Sequence, residues 1–221
     1  MSADAPIPMA PLAVRTPDLV LASASPRRRE LLERLGLSLV VAAADVDETP
    51  LPGERPADYV RRVAGSKCDT VVAARSPAVA AGLAVLAADT IVIAAGDANQ
   101  ILGKPVDADD ARRMLTRIAG RKHEVATAYR IRVGERTVER TVATIVSFRA
   151  LSPAEIGAYV ASGEWRGKAG GYAVQGIAGA FVTELRGSHT NVIGLPVSEV
   201  LADLQALGAL PGYPPPGFGG A

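Results

Sequence analysis

The stretch Leu83-Ala84-Val85-Leu86-Ala87-Ala88-Asp89-Thr90-Ile91-Val92-Ile93-Ala94 decides the fold. Its apolar segments, Leu83 to Ala88 and Ile91 to Ala94, show no alternation with polar residues, which suits central strands buried on both faces. Helical patterns flank it. Upstream, Leu19 to Ala22 reads as a strand, followed by a helix whose stripe is Leu31, Leu32 and Leu35 and whose end is Gly36. Leu39 to Ala43 is a second strand, and a helix over about Ala57 to Ala74 carries Val60, Val63 and Ala64 on one side. Downstream, Ala108 to Ala119 reads as a helix with Asp107 as N-cap and Asp109 and Asp110 in its positive first turn. Val125 to Val133 and Thr137 to Phe148 form two long strands joined at Gly134-Glu135. Ser152-Pro153-Ala154-Glu155 is a capping box opening a helix that stops at Gly163. A glycine-rich stretch, Gly167 to Gly187, precedes a last helix over Pro196 to Leu207. Strands alternating with helices give an α/β domain.

Composition narrows the function. The 221 residues are 48% hydrophobic, enough for a buried core and too many for a disordered chain. Lys+Arg 24 against Asp+Glu 23 leaves no global field to hold nucleic acid, so an anion site must be a local cluster. The single cysteine, Cys68, excludes an internal disulfide and suits a reducing compartment. With only His123, His189 and Cys68 as softer ligands, a metal would be a hard ion such as Mg2+ or Mn2+. Residues 1–17 lack the pattern of a signal peptide, and no apolar run reaches membrane-spanning length, so a soluble cytoplasmic protein is expected. The organisation expected is a flexible segment over 1–17, one domain over 18–208 and a Pro/Gly-rich flexible tail over 209–221.

Function is sought where residues conflict with their surroundings. In Ser23-Ala24-Ser25-Pro26-Arg27-Arg28-Arg29, Ser25 and Pro26 fix a helix start whose positive end three arginines would repel. A bound phosphate at Arg27 and Arg28 reverses that penalty; alternatively the arginines pair with Glu30 or Glu33 in solvent. Asp89 lies between strongly apolar segments, either as a functional carboxylate facing a crevice or within a polar kink between two strands. Asp45-Val46-Asp47-Glu48 is either a source of metal ligands or a solvated loop. Lysine occurs only at Lys67, Lys104, Lys122 and Lys168; Lys67 and Lys104 are placed for point-charge contact with phosphate, or are surface residues. In Gly167-Lys168-Ala169-Gly170-Gly171-Tyr172-Ala173-Val174-Gln175-Gly176, either glycines permit close approach of backbone to a ligand and Gln175 offers both a donor and an acceptor to a base edge, or the stretch is a flexible surface loop.

Four ordered motifs, Leu21-Ala22-Ser23-Ala24-Ser25-Pro26-Arg27-Arg28, Ala88-Asp89-Thr90-Ile91-Val92, Leu102-Gly103-Lys104-Pro105 and Lys168 to Gly176, resemble the Maf family of nucleoside triphosphate pyrophosphatases over residues 19–205. The resemblance implies a mixed central sheet flanked by helices, two lobes around a central cleft, and an architecture like that of the inosine triphosphatases. It implies a divalent metal, Mg2+ or Mn2+, and hydrolysis of a nucleoside triphosphate to its monophosphate and pyrophosphate, with a homodimer common. The motif around Gln175 is similar to that of the branch acting on dTTP and UTP, rather than the branch preferring 7-methyl-GTP, and modified pyrimidine nucleotides are further substrates it implies. Carried over by position, Asp89 is the proton acceptor, and Arg27, Thr90 and Gln175 bear on choice of base. Ser23, Arg28, Glu48, Lys67 and Lys104 match polar positions around phosphate and metal, with Glu48 and Asp89 as metal ligands and Asp47 as the alternative to Glu48. Family members are also linked to inhibition of septum formation, which gives a non-enzymatic alternative, a nucleotide-binding regulator of division.

Overall fold

A computed structural model of the chain describes residues 16–96, 100–210 and 212–214. The elements are β1 (Leu19–Leu21), α1 (Pro26–Arg34), β2 (Leu39–Val41), α2 (Pro56–Ala73), α3 (Pro77–Ala80), β3 (Ala84–Ala94), β4 (Ile101–Leu102), α4 (Ala108–Ile118), β5 (Lys122–Val133), β6 (Arg136–Phe148), α5 (Pro153–Ser162), β7 (Val182–Arg186), α6 (His189–Ile193) and α7 (Val197–Ala206). They form a mixed sheet in the order β2-β1-β3-β5-β6-β7, with β4 also paired to β3, and helices on both faces. β2, β1 and β3 are parallel, whereas β5, β6, β7 and β4 join antiparallel.

The decisive stretch is one strand, not two strands with a kink at Asp89-Thr90. β3 pairs without interruption along β5, from Val85 opposite Arg132 to Ala94 opposite His123. Its other edge is shared. β1 covers Ala84 to Leu86, and β4 covers only Val92 and Ile93. Among the described residues, Ala87 to Ile91 therefore have a strand partner on one side alone, and the sheet is open there.

Side chains alternate across β3. On one face Val85 and Ala87 pack with Cys68 and Val71 of α2, and Ile91 packs with its Val60, Val63 and Ala64. On the opposite face Leu86 and Ala88 join Leu32, Leu195 and Leu204, whereas Val92 and Ala94 join Leu115, Ile118, Ile156 and Phe148. The second face thus carries two apolar clusters, one per lobe, and Thr90 falls between them. Asp89, one residue earlier, projects toward α2.

Local chemistry sets the frame. The β5–β6 pair closes on Gly134-Glu135, where Gly134 supplies φ 57°. The Ser152 and Glu155 capping box is formed, and Gly163 ends α5 at φ 72°. Four elements were not expected. The single turn of α3 and the two residues of β4 are too short for a periodic signal, and β7 and α6 lie where glycine and polar residues mask one. β2 ends at Val41 rather than Ala43, since its register with β1 ends there. The packed region runs past the boundary set at residue 208: Leu210 is buried in the α7 cluster, because the chain folds back through Leu210 N–H to Leu204 C=O. The flexible segment expected over 1–17 and the rest of the expected tail fall mostly outside the described residues. Among the described residues no helix is long and apolar enough to cross a membrane.

Candidate active site

The open edge of β3 is one wall of a cleft of about 280 Å3. After Ala22 N–H bonds to Leu86 C=O, the chain leaves the sheet and turns through Ser23-Ala24-Ser25 into α1. Ser25 holds the N-cap position but its hydroxyl caps nothing; instead its N–H donates to Ser23 Oγ at 3.2 Å. No acidic residue lies in the first turn of α1, so the positive end of the helix is left to the cleft.

The three arginines separate as their neighbours dictate. Arg28 is buried, with Nε donating to Gly194 C=O at 2.8 Å and its two terminal nitrogens donating to Ser23 Oγ and Thr90 Oγ1, each at 3.0 Å. Arg27 reaches along the cleft mouth to Ile193 C=O at 3.3 Å and Gly167 C=O at 3.4 Å. Arg29 points to solvent and pairs with Glu33 at 2.7 Å. Burial lowers the pKa of Arg27, and it lowers that of Arg28 with the Arg27 charge adding to it, while Asp89 and Glu48 oppose the shift.

Thr90 extends the Arg28 network inward. Its Oγ1 lies 2.9 Å from Thr127 Oγ1, which donates to Asn191 C=O at 3.1 Å. Thr90 Oγ1 accepts from Arg28, and its single proton has two acceptors within reach, Thr127 Oγ1 and Gly194 C=O at 3.3 Å. The Asn191 side chain, fully buried, donates to Val125 C=O and Thr144 Oγ1, each at 3.0 Å. Each bond to the guanidinium contributes about 1.5–3 kcal/mol, so this side of the cleft is held rigidly.

On the α2 face, Lys67 Nζ sits 2.8 Å from Asp89 Oδ1 and 2.7 Å from Glu48 Oε1. Lys67 and Asp89 are both buried. Asp89 Oδ2 has no protein hydrogen-bond partner among the described residues. Glu48 is placed by its own loop: Tyr59 Oη donates to its carbonyl at 2.9 Å, and Arg62 holds Thr49 C=O and Glu54. Burial alone would raise the Glu48 pKa, but the hydrogen bond and charge of Lys67, with Lys104 and Arg28 beyond, hold it below the usual value. Asp47 turns away, its Oδ1 accepting from Thr49 N–H at 2.8 Å, so Glu48 is the acid of that loop that faces the cleft.

The opposite rim carries Lys104, Lys168 and Gln175. Lys104 is 61% exposed and lies 3.7 Å from Glu48 Oε2. Burial, then the nearby Arg27 charge, lowers the Lys168 pKa. The glycines here serve packing. Gly170, at φ 66°, donates to Gly103 C=O at 2.9 Å, and a Cβ on it would come within 2.9 Å of Val92 Cγ2. The close approach read as ligand contact is therefore, at Gly170, contact with β3.

All nine residues singled out from the sequence, Ser23, Arg27, Arg28, Glu48, Lys67, Asp89, Thr90, Lys104 and Gln175, line this one cleft. Lys168 also lines it, making five cationic side chains against the carboxylates of Glu48 and Asp89. Sequence reasoning gave Lys168 no role, although it was visible as one of few lysines, and it missed the carbonyls of Ile193 and Gly194 that anchor the arginines. The one available signal for α6 is Ser188, whose side chain caps Asn191 N–H. Such an array suits a flexible polyanion. Two adjacent hard carboxylates suit a cation that takes its remaining ligands from water and phosphate.

The family model described as "Maf-like protein" matches residues 18–207. The dTTP/UTP pyrophosphatase of Anaeromyxobacter dehalogenans is 52% identical over 196 residues, covering 87% of this chain and 95% of the relative. The dTTP/UTP pyrophosphatases of Sphingopyxis alaskensis and Geobacter sulfurreducens are 53% and 48% identical, each covering 87% of this chain and 97% of the relative. Among solved structures, the Staphylococcus aureus Ham1 protein aligns with a TM-score of 0.42 at 13% identity, over 59% of this chain and 71% of that one. With the motifs, the cleft and these relatives in agreement, the chain belongs to the Maf family.

Proposed function

We propose that this protein is a nucleoside triphosphate pyrophosphatase that hydrolyses dTTP and UTP to the monophosphate and pyrophosphate. The observation that carries the reading is the Lys67 ammonium bonded to both Asp89 and Glu48 at the open edge of β3, inside a cleft otherwise lined by cations. The names of the relatives supply the substrates.

A divalent ion fits. Glu48 and Asp89 both line the cleft and both bond Lys67, which puts two hard carboxylates side by side. In this reading Glu48 and Asp89 hold Mg2+ or Mn2+, which would neutralise phosphate charge when bound.

The chain's own residues do the rest. Arg27, Lys104 and Lys168 draw the triphosphate into the mouth, and Arg28, with three of its five N–H groups already bonded within the protein, turns the remaining two to the phosphates. Asp89 Oδ2 takes the proton from the water that attacks the α-phosphorus. The new P–O bond forms as the bond from the α-phosphorus to the bridging oxygen breaks, and pyrophosphate leaves with its charge met by Lys67 and Lys104. Gln175 and Arg27 contact the base, whereas Thr90 acts through the arginine it fixes. One buried cysteine suits a reducing compartment, and the cytoplasm is the location we propose.

Comparing kcat/KM for dTTP, UTP, CTP and 7-methyl-GTP tests the assignment. Preference for dTTP and UTP by about tenfold or more is expected; preference for 7-methyl-GTP, or binding of dTTP without turnover, contradicts it.

A further inference from the structure

Gln175 is exposed at the cleft, and among the described residues its side chain has no hydrogen-bond partner. Its backbone alone fixes where it points. That backbone is a tight turn, closed by Gly176 N–H to Ala173 C=O at 3.1 Å and by Gly179 N–H to Gly176 C=O at 3.0 Å.

Against this turn lies Glu164, one residue beyond the left-handed Gly163 that ends α5. Its Oε2 accepts from Ile177 N–H at 2.9 Å and its Oε1 from Ala178 N–H at 3.3 Å, both at the start of the short helix over Ile177–Phe181. Gly176 has φ −114°, so no left-handed conformation requires glycine there. A Cβ at that position would instead collide with Glu164 Oε2. The glycine that follows Gln175 is thus explained by the carboxylate that sits on it. Two backbone amides and a glycine seat form a built receptor for one side chain, and Glu164 itself is not among the residues lining the cleft.

We infer that Glu164 is a positioning residue for base selection: its carboxylate clamps the Gly176–Ala178 backbone and thereby aims Gln175 at the base. The inference rests on the proposed reading of Gln175, so both residues are tested together, with the ratio of kcat/KM for dTTP over CTP as the readout. Gln175→Ala is expected to lower that ratio about tenfold, the loss of roughly one hydrogen bond. Glu164→Ala should reproduce most of that loss through a higher KM for dTTP, with kcat changed by less than about threefold. Glu164→Gln, which keeps one acceptor and the side-chain shape, should fall between the wild type and Glu164→Ala. Gly176→Ala, which displaces the carboxylate from the other side, should match Glu164→Ala. The Glu164→Ala, Gln175→Ala double variant should lose no more than Gln175→Ala alone, because both act at one contact. If Gln175→Ala leaves the ratio unchanged, the reading of Gln175 fails, and the clamp with it. If Gln175→Ala lowers the ratio while Glu164→Gln and Gly176→Ala do not, or if the double variant is additive, the clamp alone is overturned. Should Glu164→Ala not fold, Glu164→Gln and Gly176→Ala decide between the same two outcomes.

Discussion

The two walls of the cleft are built on opposite terms. On the β3 wall, Arg28, Lys67 and Asp89 are buried and each is bonded to a named partner, and Thr90 is tied through Thr127 to Asn191. On the rim, Lys104 is 61% exposed, Gln175 has no side-chain partner among the described residues, and backbone placement does the ordering. The difference separates two tasks. A rigid, desolvated wall suits groups that must meet a developing charge without reorganising, whereas a loose rim suits groups that collect and sort substrates.

The largest effect is expected where the rigid wall meets the water. Asp89→Asn removes the proton acceptor while keeping the shape, and kcat for dTTP should fall about 10²–10⁴-fold with the fold retained by circular dichroism. A variant with wild-type turnover would remove Asp89 from the chemistry. Arg28→Met tests whether that wall is also a stability element. It removes the Nε–H that donates to Gly194 C=O at 2.8 Å, leaving that carbonyl only the Thr90 hydroxyl at 3.3 Å, and unfolding in urea should show a loss of about 3 kcal/mol.

Below the rim, His123 is buried, its Nε2 lies 2.8 Å from the oxygen of Tyr172, and burial lowers its pKa to about 4. Below pH 6.5 the unfolded chain takes up a proton that the folded chain refuses. Its contribution is therefore full above pH 6.5 and is lost as pH falls toward 4, by about 3 kcal/mol in total. Urea titrations of the wild type and His123→Gln should diverge by this amount in total between pH 6.5 and 4, and parallel pH dependences would show that His123 is protonated in the fold. The smallest effect belongs to the rim. Lys104→Ala should raise KM for dTTP about 3- to 10-fold, less so at high salt, with stability unchanged within about 0.5 kcal/mol. A large loss of stability would show that the rim is as rigid as the wall.

The same contrast governs what could be read in the sequence. β3, the β5–β6 hairpin and the capped helix α5 are local events, written in apolar runs, a glycine turn and a capping box. Eight of the nine cleft residues were legible because they fall in compact motifs, each a few residues long; Lys67 stood out only as one of four lysines. What links them was not legible. Lys67 meets Asp89 across 22 positions, and Arg28 meets Gly194 across 166, so no local pattern announces either contact. Hence Lys67 reads from sequence as a phosphate contact alone, whereas the fold also gives it two carboxylates to hold. Asp47 and Glu48 could not be told apart for a related reason: the choice depends on Thr49 and Tyr59 turning the loop. β7 and α6 escaped because glycine and polar residues hide elements whose stability comes from their neighbours.

Everything proposed for the rigid wall depends on water, activated beside Asp89, attacking the α-phosphorus. Turnover of dTTP with Mg2+ in heavy-oxygen water, followed by mass spectrometry of the products, follows that oxygen to its destination. The expected products are dTMP carrying one heavy oxygen and unlabelled pyrophosphate. Label in the pyrophosphate, or formation of dTDP and inorganic phosphate, would place the attack at another phosphorus and overturn the mechanism.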